Sequence, residues 1–394
     1  MFCFHQLVHH MTNLRIFQKE ESISKILFIK KKMNNGFNKI KNWWNDLDKY
    51  ILIPTFILIS IGVILVFSAS QVLGSKYEVS QYFLIKKHII FVMIGIFTIL
   101  ILSTLSPKNI IFCSIIILTS AIILSTIAIF FFSEFKGASR WIKLSNFSLQ
   151  PSELFKPSFI VVSALLFSRY KNKNDNSIIY NIVLLLIISC ILISQPDFGM
   201  FILLFIVWFT QLIMARINLK IISFMIFSFI STLVFCFFFL DHVQFRLKNF
   251  FLNIGDNYQI SKSLESFSSG GFFGKGLGAG KISKALPDVH SDFIFALAGE
   301  ELGIIFISLI LLIYLFIFWR IYLISVNEKN FFNFSALIGL SNIFIFQTII
   351  NVSSSLKIFP TKGMTLPFIS YGGSSMLSCS ILIGFILSLT KKNR

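Results

Sequence analysis

Charge is scarce in this chain and unevenly placed. Only 13% of its 394 residues are charged while 55% are hydrophobic, and apolar runs of about twenty residues recur far too often for a soluble core. Cysteine is sparse as well. Cys3, Cys113, Cys190, Cys236 and Cys379 form no CxxC pair, and four of them fall inside apolar runs, so the chain indicates neither a disulfide framework nor a zinc site. No stretch alternates apolar and polar residues as a membrane β-strand does. No cleavable signal peptide is evident, because the first long apolar run begins near Ile51 and others follow it; that run reads as a signal anchor. An internal repeat is not visible, which weighs against a transporter built from inverted halves. Neither a soluble catalytic domain nor a nucleotide-binding module has room between the runs.

What remains is an all-α polytopic membrane protein. The runs place about ten transmembrane helices near 51–70, 87–106, 109–132, 157–172, 178–195, 198–215, 220–240, 293–318, 333–352 and 372–390. Helices are required because backbone groups in hydrocarbon must bond within their own segment. The net charge of +18 would suggest nucleic acid in a soluble protein, but here much of the Lys and Arg lies between apolar spans. Its 49 phenylalanines accompany much Ile, Lys and Asn and read as genome bias rather than as binding surface.

An even number of spans puts both termini on one side. The positive-inside rule makes that side the cytoplasm, with the clearest bias in the basic segment 1–50, the loop carrying Arg169, Lys171 and Lys173, and the tail 391–394. Residues 1–32 look unlike the rest, and Met33, after Lys30, Lys31 and Lys32, is an alternative start. Trp43, Trp44 and Trp319 suit an interfacial aromatic belt. The membrane domain covers 51–390, with a large extracytoplasmic loop at 241–292 between the seventh and eighth spans. Outer segments 71–86, 133–156, 241–292 and 353–371 then hold nearly all the unusual chemistry.

Acidic and imidazole groups crowd one of these segments. LPDVHSDFIFALAGEELG, from Leu286 to Gly303, sets Asp288, His290, Asp292, Glu300 and Glu301 where an apolar run begins, and carboxylates there are costly to desolvate. Asp292 is the candidate for chemistry. Asp288, His290 and Asp292 at alternate positions are also suggestive of metal coordination. In GASRWIKLSNFSLQPSELFK, Arg140, Lys143, Glu153 and Lys156 put cations on the outer face, which fits either interfacial snorkelling or an anionic ligand. QPDFG, from Gln195 to Gly199, is a turn whose Asp197 lies at membrane depth. In PTKGMTLPFISYGGSS, Lys362 sits in irregular backbone, which survives at that depth only when buried in protein or lining a polar cavity.

The glycine run SSGGFFGKGLGAGK imitates a phosphate loop and fails the test. Ser269 stands where a Walker loop needs its first Gly, Gly276 where it needs Ser or Thr, and Ala279 and Lys281 break the dinucleotide spacing. A flexible outer loop that approaches a bulky ligand is the expectation.

Read along the chain, GASRWIKLSNFSLQPSELFK, QPDFG, GGFFGKGLG with LPDVHSDFIFALAGEELG, and PTKGMTLPFISYGGSS resemble, in that order, the signature segments of the shape, elongation, division and sporulation (SEDS) family of bacterial membrane glycosyltransferases. The likeness runs from about residue 40 to the end, and Lys362 and Thr365 within TKGMTLPFISYGGSS favour the division-type branch. The family commonly reads PEAHTDF where this chain has Pro287 to Phe293 as PDVHSDF. The resemblance implies polymerisation of lipid II, the disaccharide-pentapeptide carried on a polyprenyl diphosphate, at the outer face of the inner membrane during division. It further implies a class B penicillin-binding transpeptidase and other division proteins as partners, and Mg²⁺ or Mn²⁺ as cofactor, with Asp292 and Asp288 as possible ligands. Asp292 matches the family's essential aspartate.

For such a transfer, a base must face the acceptor hydroxyl and positive charge must face the departing diphosphate. Asp292 is expected as general base in one inverting displacement, since a single carboxylate does not fit the paired carboxylates of retaining glycosidases. Arg140, Lys143 and Lys362 are expected to contact diphosphate, with Ser291 and His290 beside the substrate. Glu153, Asp197, Asp288, Glu300 and Glu301 are expected to position other groups or serve the fold. The alternatives are a lipid II transporter (flippase) and a non-catalytic division scaffold.

Overall fold

The computed structural model describes residues 41–77, 82–132, 140–144, 147–173, 176–240, 243–245, 248, 250, 258–360 and 363–391. Residues 41–46 are helical. Asp48–Thr390 forms one compact unit, separate from the flanking residues. It is built of α1 (Lys49–Tyr77), α2 (Phe83–Ser103), α3 (Pro107–Phe131), the strands β1 (Ile142–Leu144) and β2 (Phe147–Leu149), α4 (Phe155–Lys173), α5 (Ser177–Ser194), α6 (Phe198–Met214) and α7 (Leu219–Phe239). After these come α8 (Tyr258–Gly270), α9 (Ile294–Val326), α10 (Phe331–Ser355) and α11 (Gly373–Leu389).

Each expected span coincides with one helix among the described residues. Seven of them (α1, α2, α3, α5, α7, α9 and α10) are long and apolar enough by length and composition to cross a membrane, while α6 and α11 are shorter apolar helices. Local chemistry sets the helix starts. Ser106 caps α3 ahead of Pro107, Asp197 accepts the Met200 N–H at α6, and Asn218 and Asn330 cap α7 and α10.

The interior is held by polar side chains as well as apolar ones. Gln211 of α6 donates to the carbonyls of Ile160 on α4 and Ser335 on α10, and Trp208 donates to Asn181 on α5. Among apolar helices these directed bonds fix partner and register where hydrophobicity alone discriminates little. Small residues bring α11 and α2 close: a Cβ at Gly373 would strike the Phe91 ring and one at Gly384 would meet Leu102. α7 is the least buried of the seven spans, at 11% of its window, and so lies on the outside of the bundle.

Part of the glycine run packs against α9. α9 breaks at Gly303, whose φ of 80° and ψ of 173° are not helical, and the run packs backbone to backbone against that break. The N–H groups of Ile304 and Ile305 donate to the carbonyls of Gly271 and Phe272, while those of Lys275 and Gly276 donate to Glu300 and Glu301. The loop therefore completes the hydrogen bonding that the helix loses at its break. A Cβ at Gly274 would stand 2.2 Å from the Glu301 carbonyl oxygen, so only glycine permits the approach.

Glu300 secures the same loop by its side chain. It accepts from the N–H groups of Lys281 at 2.9 Å, Ile282 at 3.1 Å and Ser283 at 2.7 Å, and pairs with Lys275 at 3.4 Å. Glu301 accepts the Ser68 hydroxyl of α1 at 2.7 Å. The two acidic side chains thus join the loop and α1 to the N-terminal part of α9.

Candidate functional site

Segments 133–156, 241–292 and 353–371, expected on the outer face, all contribute to one cavity of about 640 Å³. Of the residues singled out from the sequence, Arg140, Lys143, Glu153, Asp197, Asp288, His290, Ser291 and Asp292 all line it. Glu300 and Glu301 do not. Lys362 lies outside the described residues, although its neighbours Gly363 and Met364 line the cavity.

Asp292 is presented by a tight turn ahead of α9. Its N–H donates to the Asp288 carbonyl at 3.1 Å, and Asp288 itself adopts a left-handed φ of 54°. Three connections sew this turn to the segment before α11. The Tyr371 N–H donates to the His290 carbonyl at 2.9 Å, the Ser370 hydroxyl to the Ser291 carbonyl at 2.5 Å, and the Asn351 amide to the carbonyls of both Asp292 and Met364. All three grip the backbone. Beside the Asp292 carboxylate stands Gly363 at φ 61°, where a Cβ would come within 3.2 Å of Oδ2.

The wall carrying Arg140 and Lys143 is built from the β1–β2 hairpin and the turn before α4. Ile142 pairs with Leu149 across the hairpin, and the Gln150 N–H donates to the Ser374 hydroxyl of α11 at 2.8 Å. Gln150 also reaches Asp197 Oδ2 at 3.2 Å, while Arg140 approaches Asp197 Oδ1 at 3.5 Å. Arg140 is therefore oriented by a carboxylate rather than left loose, and its Nε is buried without a partner among the described residues. Lys143 is exposed.

Lys156 does not join the outer cations. It is 1% exposed, pairs with Glu153, and donates to the Gln347 side chain at 2.8 Å. Gln347 in turn donates to the Thr365 carbonyl at 2.8 Å, and the Thr365 and Ser375 hydroxyls share a hydrogen bond of 2.6 Å. A buried charge is thus spent on tying α4, α10 and the segment before α11 together.

Lys87, Tyr371 and Asn351 also line the cavity and were not singled out from the sequence. Asn351 and Gln347 stand one helical turn apart on α10, two amides in the expected span 333–352, which is the signal that would have found them. The Tyr371 ring lies between two imidazoles, 6.0 Å from His88 and 5.5 Å from His290. Burial raises its phenol above the ordinary value, so it stays a neutral donor.

No group of three or more His, Cys, Asp or Glu converges as a metal cage among the described residues. Of the four carboxylates that line the cavity, Glu153 pairs with Lys156 and Asp197 with Arg140, while Asp288 and Asp292 share one turn with Gly363 beside Asp292 Oδ2. That donor set fits Mg²⁺ held jointly with substrate phosphates rather than a dedicated protein site.

Residues 49–394 match the family model described as cell cycle protein, FtsW, RodA and SpoVE. Curated relatives agree. The chain is 32% identical to the probable peptidoglycan glycosyltransferase FtsW of Caulobacter vibrioides, over 89% of this chain and 90% of that one. It is 34% identical to the protein of the same description from Buchnera aphidicola, over 92% and 94%. Among solved structures, one reported as structural coordination of polymerization and crosslinking by a peptidoglycan synthase complex superposes with a TM-score of 0.71 at 18% identity, covering 87% of this chain and 97% of that one. The rod shape determining protein RodA of Thermus thermophilus gives 0.62 at 19% identity, over 88% and 97%. At these identities the two structures speak for the fold alone.

Proposed function

The chain belongs to the FtsW, RodA and SpoVE family of cell cycle proteins, and on that premise we propose that it is a division-type peptidoglycan glycosyltransferase polymerising lipid II. It is an integral membrane protein. In this reading the ten long helices span the inner membrane, the termini face the cytoplasm, and the cavity opens on the outer face at the septum. The observation that carries the reading is a single cavity with the Asp292 carboxylate on one wall and Lys87, Arg140 and Lys143 among its other lining groups.

In the reaction, Asp292 takes the proton of the acceptor 4-hydroxyl as that oxygen attacks the donor's anomeric carbon. The bond from that carbon to the diphosphate breaks in the same displacement, with inversion. The departing diphosphate carries its charge to Arg140 and Lys143, Arg as a planar fork and Lys as a point charge, with Lys362 as a third contact. His290 and Ser291 lie along the acceptor side of Asp292. Asp292 and Asp288 would hold Mg²⁺ or Mn²⁺, which when bound neutralises charge on the diphosphate. A class B penicillin-binding transpeptidase is the proposed partner, in keeping with the synthase complex to which the fold is similar.

The test is polymerisation of lipid II by the purified, reconstituted protein. Asp292→Asn and Asp292→Ala are expected to lose polymer while keeping the parent's thermal unfolding. Full activity in either folded variant removes Asp292 from the mechanism, and flux of labelled lipid without polymer would point to transport instead.

A further inference from the structure

A second cavity, of about 880 Å³, lies at the opposite end of the bundle from Asp292. The chain path establishes the separation. α4, α6, α9 and α10 each have one end at the Asp292 cavity, at Glu153, Asp197, Phe293 and Asn351, and the other at this one, at Lys171, Met214, Val326 and Phe331. α10 alone, 25 residues long, spans about 37 Å at the usual helical rise, enough to cross the hydrocarbon of a bilayer.

Three cations from three separate elements surround this space, Lys171 at the end of α4, Arg216 in the α6–α7 turn and Lys329 in the α9–α10 turn, with Glu328 the one acid in the lining. None of the three pairs with a carboxylate among the described residues, and Asn333 donates to Glu328 at 3.3 Å. Lys171 instead lies over the Phe331 ring, 4.0 Å from its centroid. Arg216 holds a left-handed φ of 53° immediately after the α6 C-cap, a position that glycine fills at lower cost. Asn172 and Asn330 also line the space, and beside them lies an apolar rim that faces outward: Ile213 is 47%, Met214 39% and Val326 55% exposed.

We propose that this cavity binds the headgroup phosphate of an anionic membrane phospholipid, whose acyl chains lie along Ile213, Met214 and Val326. Cations at the water boundary above an exposed apolar rim match a molecule that is anionic at one end and hydrocarbon at the other. A free phosphate uses only the cations, whereas a lipid uses both surfaces. Since the Asp292 cavity is on the opposite side, the lipid belongs to the cytoplasmic leaflet when that cavity faces outward.

The experiment is native mass spectrometry of the full-length protein released from detergent with added phosphatidylglycerol or phosphatidylcholine, alone and with inorganic phosphate. The parent is expected to retain phosphatidylglycerol preferentially. Arg216→Gly should fold at least as well, because it relieves the left-handed backbone, yet bind about fivefold more weakly, and Lys171→Gln with Lys329→Gln should weaken binding by about a further twentyfold. Equal retention of the two lipids, or unchanged retention in these variants, overturns the proposal. Displacement of the lipid by millimolar phosphate would make this a free-phosphate site and overturns it as well. Polymerase activity is not the readout, so a failure of the reading of the Asp292 cavity leaves this result standing.

Discussion

Asn351 holds Asp292 by its backbone. Its side-chain amide donates to the Asp292 carbonyl at 3.0 Å and to the Met364 carbonyl at 2.6 Å, so one residue of α10 sets the turn bearing Asp292 against the segment bearing Gly363. Asp292 lines the cavity beside Gly363. These bonds fix the backbone that carries Asp292.

Replacing Asn351 with Ala should therefore move Asp292 rather than abolish the site. Two hydrogen bonds to buried carbonyls are lost, at about 1–3 kcal/mol in total, and turnover is expected to fall roughly 10- to 100-fold with a smaller change in KM. Steady-state polymerisation and thermal unfolding, measured on the same preparation, separate the two effects. A lowered Tm with undiminished kcat would make Asn351 a residue of the fold alone.

Gly363 makes a sharper case, because its left-handed φ of 61° and its closeness to Asp292 act together. Gly363→Ala adds a methyl 3.2 Å from Oδ2 and about 1–2 kcal/mol of backbone strain. Activity is expected to drop at least tenfold while the protein still folds and inserts. Wild-type kinetics in that variant would show that the space beside the carboxylate is not used.

Much of this site was legible in the sequence because acids and cations are rare in an apolar chain. Asp197, Asp288, Asp292, Arg140 and Lys143 stand out against hydrocarbon, and all line the same cavity. The ten long helices were legible for the same reason, through length and hydropathy. What could not be read was which charges are consumed by one another. Lys156 has the same spacing from the membrane edge as any snorkelling cation, and only packing shows it buried on Gln347. Nor does the composition of the glycine run announce that Gly274 permits contact with a break in α9.

Lys156 and Glu153 depend on each other for stability. With Lys156 1% exposed and Glu153 on it, Lys156→Met leaves a carboxylate largely buried and unpaired, at about 3–5 kcal/mol. Adding Glu153→Gln removes the stranded charge and should restore roughly half or more of that loss. A double-mutant cycle read by thermal unfolding tests this, and additive single effects would show that the pair is not coupled.

The Glu300 carboxylate is fully buried and accepts three consecutive backbone N–H groups, so its contribution rests on charge as well as shape. Glu300→Gln keeps the shape but replaces one acceptor oxygen by an NH₂ donor facing donors, which should cost about 2–3 kcal/mol locally. Because the loop also completes the hydrogen bonding of α9 at Gly303, loosening it should be felt along the start of that helix and not only in the loop. Hydrogen exchange is expected to quicken at least tenfold for the amides of 275–283 and of Ile304 and Ile305, while those of α4 and α10 keep the parent's protection. Faster exchange in the loop with Ile304 and Ile305 unchanged would mean that the helix break closes without the loop, and the glycine run would lose its assigned purpose.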